Sequence, residues 1–213
     1  MYIWKHIRTS AFLVALRVRP WVLWAFSERQ WEVVPLVLFA VFQFHYFQRS
    51  FIFPILMRGN SKMPLGIVAM GMVFNTLNAL MQGGWIFYVS PAGYYADWFA
   101  KPYIYIGLAV FFAGMFINWQ ADYIIRHLRK EGDTRHYIPR GGMFRYVSSA
   151  NYFGEVVEWT GFAILLCNPA AWMFVWWTAA NLVPRAHAIN KKYRAEFGNE
   201  QVGKRKRVIP FIY

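Results

Sequence analysis

Apolar residues cluster along this chain in long runs, at about 10 to 26, 33 to 57, 65 to 90, 102 to 123, 146 to 167 and 169 to 189, separated by short polar or basic segments. A helix needs about 20 predominantly apolar residues to cross the hydrocarbon core of a bilayer. The pattern therefore predicts an all-α fold, a polytopic membrane bundle of about six transmembrane helices. The longest apolar block, Val147 to Leu182, exceeds one crossing and is divided by Asn168-Pro169, so it predicts a helical hairpin. The first run carries Arg17 and Arg19 near its middle with Pro20 directly after, which predicts a tilted, short or bundle-enclosed helix.

Charge orients these runs. Arg126, Arg129, Lys130, Arg135, Arg140 and Arg145 precede the hairpin, and Arg185, Lys191, Lys192, Arg194 and Lys204 to Arg207 follow it. Basic flanks mark the cytoplasmic side, and the loop from Ser90 to Lys101 is nearly neutral, so both termini are expected in the cytoplasm. The formal charge of +13 thus forms a basic floor suited to anionic lipid or to nucleotide phosphates. Aromatics fall inside apolar runs rather than between Lys and Arg, which argues against nucleic acid.

With 58% hydrophobic and 21% aromatic residues, the composition is that of an integral membrane protein, read here as one domain over residues 1–213 and as a monomer. The N-terminus lacks a signal-peptide pattern and is read as mature sequence. The single cysteine, Cys167, excludes an internal disulfide and offers no metal quartet; it reads as a small packing residue, and no metal site is expected. Trp31, Tyr94, Tyr95, Trp98 and Tyr103 stand at run ends as interfacial anchors.

Polar residues inside the runs carry the candidate chemistry, because buried carboxylates and amides are costly in a bilayer. Asn118, Asp122, Arg126 and Arg129 follow at steps of four, four and three, one face of one helix. Asn151, Glu155 and Glu158 form a similar stripe, with Gly154 and Gly161 seven apart permitting close approach by a neighbour. Asn181 and Arg185 are one turn apart on the last run, followed by His187, Asn190, Lys191 and Tyr193. Such groups suit the amide, ribose and phosphates of a nicotinamide dinucleotide, guanidinium planes matching phosphate. The competing readings are a packing network for the acidic stripe and solvated helix ends for the basic residues. Gly141-Gly142 follows no strand and lacks dinucleotide-fingerprint spacing, which excludes a Rossmann site. Earlier in the chain, HYFQRSF places Tyr46 and Arg49 three apart. A buried phenol there can donate to a carbonyl oxygen that gains charge, or simply pack.

HYFQRSF from His45 to Phe51, INWQADYIIRHLRK from Ile117 to Lys130, IPRGGMFRYVSSANYFGEVVEW from Ile138 to Trp159 and the closing VIPFIY together resemble the steroid 5α-reductase family. The resemblance implies a seven-helix membrane bundle that binds NADPH from the cytoplasmic side and reduces the carbon–carbon double bond of a 3-oxo-4-ene steroid or similar enone lipid. It implies that Tyr46 polarises the substrate ketone. It places Asn118, Asp122, Arg129, Asn151, Glu155, Arg185 and Tyr193 around NADPH, with Arg49 and Trp159 as further contacts.

Two departures accompany the match. The six runs leave no room for the family's first helix, and Val14 and Ala15 stand where the family has a Gln-Glu pair. Neither side chain can donate or accept, so the carboxylate that partners the family's tyrosine is missing and the activity is expected to be weakened or lost. Two alternatives follow: a non-catalytic cofactor- or lipid-binding homologue, and a membrane methyltransferase of the isoprenylcysteine or phospholipid type. RYVSSANYFGE lacks the Arg-His-Pro-x-Tyr signature expected of the methyltransferase. A bacterial inner membrane or the endoplasmic reticulum suits the multi-pass reading.

Overall fold

The computed structural model describes residues 21–56, 64–129, 133 and 135–213. Val14, Ala15, Arg17, Arg19 and Lys130 lie outside the described residues. Among those described, the regular elements are all helical. Helix α1 runs Val33–Leu56 and α2 Leu65–Val89; α3 is Pro102–Arg126, α4 Ala150–Leu166 and α5 Pro169–Val202. The helices α1, α2 and α3 are long and apolar enough to cross a membrane. The chain divides into two compact units between Lys101 and Pro102.

Proline marks several starts. Pro102 and Pro169 occupy the first helical positions of α3 and α5, where a missing N–H costs nothing. Asn168 caps α5, its Oδ1 accepting from the Ala171 N–H at 2.8 Å, while Cys167 closes α4 in the left-handed region at φ 48°. The hairpin turn is thus at the expected dipeptide. Cys167, however, is exposed at this corner and is not a packing residue. Trp98 departs from expectation in the opposite sense: it is buried in the loop after α2 rather than placed at an interface.

In the N-terminal unit, α1 and α2 each contain a widened turn, over Gln48–Ile52 and Trp85–Val89. Leu38, Phe42 and Ile86 are fully buried, and the Phe39 ring meets Phe87 at 5.5 Å. The loop before α1 is fastened to the end of α2 by Ser27 Oγ, which donates to the Phe87 carbonyl at 3.1 Å.

In the C-terminal unit, α3 and α4 pack backbone to backbone. A Cβ placed on Gly114 would lie 2.2 Å from the Glu158 nitrogen, and one on Gly161 2.2 Å from the Phe111 nitrogen. Gly107 faces Leu165 and Gly154 faces Asn118, so the two helices are antiparallel. The close approach expected of Gly154 and Gly161 is present, and Gly107 and Gly114 form the other side of the seam. Helix α5 packs on α4 through Phe174, whose ring lies edge-on to Trp159 at 4.7 Å.

Two helix boundaries differ from the apolar runs. Helix α4 starts at Ala150 because Ser148 and Ser149 donate their N–H groups to the Lys206 and Arg207 carbonyls, at 2.9 and 3.2 Å. Helix α5 continues well past residue 189, since the charged residues beyond the apolar run are good helix formers, and on its way to Val202 it is broken at Gly198, whose φ of 79° is non-helical. The C-terminal segment folds back through this backbone pairing and buried Val208; Phe211 and Ile212 stay exposed.

Candidate functional site

The α3–α4 seam determines where the polar stripes meet. Asn118 faces the Gly154 backbone across the contact. With antiparallel register, Asp122, one turn further along α3, reaches the level of the first turn of α4, where Asn151 stands. Asn118 and Asp122 are buried; Asn151 and Glu155 are half-buried; Glu158 lies deeper and is buried. The two stripes singled out from spacing therefore occupy one end of one helix pair.

Asn118 is only 2% exposed, and its Oδ1 has no hydrogen-bond partner among the described residues. A buried acceptor left without a donor costs about 1–3 kcal/mol. The Ser149 hydroxyl, just before α4, is buried and unpartnered in the same way. Unsatisfied groups beside carboxylates in a membrane-length helix fit a ligand carrying N–H and O–H donors, such as a carboxamide and ribose.

Around this end the basic residues are exposed. Arg129 follows α3, and Arg185 projects from α5 without an ion pair among the described residues. No hydrogen bond or ion pair joins Arg185 to the Asn118 group. Tyr193 is half-buried on α5; burial pushes its phenol up, while the nearby Arg129 and Arg205 guanidiniums pull it down. Trp159 lies in the packing seam, its ring also edge-on to Phe162 at 5.8 Å.

The loop between α3 and α4 is held by local pairs. Arg135 and Tyr137 donate to Asp133 and hold its carboxyl well below the usual carboxylate range. His136 Nδ1 meets Glu196 Oε1 at 2.9 Å, which ties the loop to α5. Beside the C-terminal tail lies an open cleft of about 570 Å³ lined by Arg194, Lys204, Arg205, Lys206 and Arg207. None of the expected site residues lines this cleft. Crowding shows in Arg205, whose pKa is lowered by desolvation and by the neighbouring Arg140.

In the N-terminal unit Tyr46 stands in the last turn of the regular part of α1, its ring 4.9 Å from Phe42 and 5.0 Å from His45. Its oxygen accepts a 2.7 Å hydrogen bond from Asn78 Nδ2 on α2, and Gln82 Nε2 donates to Asn78 Oδ1 at 3.2 Å. Arg49 lies one turn on, its guanidinium 5.1 Å from the Phe53 ring centre. Sequence reasoning missed Asn78 and Gln82. Two amides one turn apart inside an apolar run are the signal that led to Asn118 and Asp122, and it was equally present here. Glu28 and Glu32, the acidic residues nearest in sequence to the start of α1, are exposed.

Known proteins resemble the chain over most of its length. A family model described as 3-oxo-5-alpha-steroid 4-dehydrogenase matches residues 61–213. The chain is 43% identical to 3-oxo-5-alpha-steroid 4-dehydrogenase 1 of Bos taurus over 178 residues, 83% of this chain and 67% of that protein. Against the Rattus norvegicus protein of the same name it is 37% identical over 218 residues, 98% of this chain and 83% of the relative. Steroid 5-alpha-reductase DET2 of Arabidopsis thaliana is 37% identical over 198 residues, covering 90% and 75%.

Proposed function

Because the chain belongs to the 3-oxo-5-alpha-steroid 4-dehydrogenase family, we propose that it reduces the carbon–carbon double bond of a 3-oxo-4-ene steroid or similar enone lipid, using NADPH. The observation that carries the cofactor assignment is the buried, unpartnered Asn118 Oδ1 beside Asp122, Asn151 and Glu155. In this reading these four residues hold the carboxamide and ribose, Tyr193, Trp159 and Arg49 contribute further contacts, and Arg129 and Arg185 meet the phosphates. NADPH, when bound, supplies the hydride to the β-carbon of the enone.

The protein's own contribution to the chemistry is electrostatic. Tyr46 donates its phenol hydrogen to the ketone oxygen, where negative charge gathers as the double bond is reduced. Apolar helix faces exclude water and strengthen that hydrogen bond. The chain acts as one integral membrane domain and a monomer. It has six crossings, α4 and α5 forming the last hairpin, with both termini and the basic floor in the cytoplasm, in a bacterial inner membrane or the endoplasmic reticulum.

Purified protein in detergent, given testosterone and NADPH, is expected to consume NADPH and form the saturated 3-ketone. Methyl transfer from S-adenosylmethionine to a lipid acceptor, with no steroid reduction, would refute the reading. Tyr46→Phe is expected to lower kcat by about 10²- to 10⁴-fold with NADPH affinity nearly unchanged, measured by steady-state kinetics and fluorescence titration.

A further inference from the structure

Asn78 and Gln82 are both fully buried in α2, in the middle of a membrane-length apolar run. Carboxamides in that setting are costly to bury, and here each amide nitrogen has an acceptor. Here they form a directed chain: Gln82 Nε2 donates to Asn78 Oδ1, and Asn78 Nδ2 donates to the Tyr46 oxygen. An amide nitrogen can only donate, so the phenol oxygen is the acceptor in this pair.

We infer that Asn78, oriented by Gln82, is a positioning residue that turns the Tyr46 hydroxyl so that its hydrogen is presented to the substrate ketone. This rests on the reading in which Tyr46 acts on that ketone. Three physical consequences follow from the chain of donors. The amide fixes the phenol's rotation about its C–O bond. By occupying Asn78 Oδ1, Gln82 keeps the carbonyl end of the amide away from Tyr46, where it would capture the phenol hydrogen. Finally, successive donation polarises the phenol and makes its O–H a stronger donor. The widened turn at Gln48–Ile52 begins two residues after Tyr46, and such turns recur at functional sites.

The test uses full-length protein in detergent, testosterone carrying ¹³C at its 3-ketone, steady-state kinetics and isotope-edited infrared spectroscopy with NADP⁺ present, so that no turnover occurs. In the native protein the ketone band is expected below its frequency in free steroid. Asn78→Leu is expected to lower kcat by about 10- to 100-fold, with little change in KM, and to return the band toward the free value. Gln82→Met should do the same to a smaller degree, and it carries the test if Asn78→Leu does not fold. Native kcat and band in these variants, while Tyr46→Phe loses both, would overturn the role of Asn78 alone. A fall in kcat with the band unmoved would also overturn it, because that is general damage rather than positioning. If Tyr46→Phe itself keeps the native kcat and band, the underlying assignment of Tyr46 fails instead.

Discussion

At Asn118 a binding role and a packing role predict opposite effects on stability. Its buried Oδ1 has no partner among the described residues, so the folded protein already carries the cost of that acceptor. Asn118→Leu, similar in shape, is expected to leave thermal stability in detergent unchanged or slightly higher while weakening NADPH binding about tenfold, read by differential scanning fluorimetry and fluorescence titration. A destabilised variant with native affinity would make Asn118 a packing group. Glu155 is half-buried on the next helix, and Glu155→Gln should weaken NADPH binding by removing a charged acceptor for ribose hydroxyls. Unchanged affinity in that titration would reduce Glu155 to packing. At this scale spacing was a good guide to Asn118, Asp122, Asn151 and Glu155, since polar residues four apart in an apolar helix share a face wherever the helix lies. Spacing to Arg49 singled out Tyr46 but not its amide partner Asn78, which lies 32 positions away on another helix.

Between elements, the decisive contact is the glycine seam of α3 and α4. Gly107 and Gly114 on one helix and Gly154 and Gly161 on the other recur at seven residues, the spacing that returns a small residue to the same face about every two turns. Gly154→Ala would bring a methyl carbon to 2.6 Å from the Asn118 nitrogen, and Gly114→Ala to 2.2 Å from that of Glu158. Each is expected to cost at least about 1–3 kcal/mol and to lower NADPH affinity as the two polar stripes separate. Gly66→Ala, where the added methyl meets nothing within 4 Å, should leave both unchanged. Reversible unfolding in mixed detergent compares the three, and equal stability across them would refute the seam. The sequence marked Gly154 and Gly161 but did not pair them with Gly107 and Gly114, because antiparallel register is a property of two helices together. The limits of α4 and α5 were likewise legible only in part. Apolar content marks what lipid or core covers, whereas α5 is carried past its apolar run as far as the break at Gly198 by charged residues of good helix propensity, and the start of α4 is set by a tail some 60 residues away in sequence.

For the whole molecule, membrane orientation has a built-in reporter. Cys167 is the single cysteine of the chain and is exposed at the corner between α4 and α5. If the basic floor faces the cytoplasm, a membrane-impermeant maleimide should label Cys167 only from the opposite face, tested in sealed vesicles of known sidedness. Labelling from the cytoplasmic face would invert the topology. Hydropathy, loop charge and proline positions were enough to state a helical membrane protein, its Asn168-Pro169 turn and the stripes on its polar helices, because these depend on short-range covalent geometry and on transfer from water to an apolar phase. Tertiary structure alone decided that α3 and α4 touch along their backbones, that the Asn118 Oδ1 has no partner among the described residues, that Asn78 reaches Tyr46, and that the tail docks through main-chain pairing rather than by burying Phe211 and Ile212. Each of these depends on which surfaces meet in three dimensions, and contacts between residues distant in the chain leave no periodic trace along it.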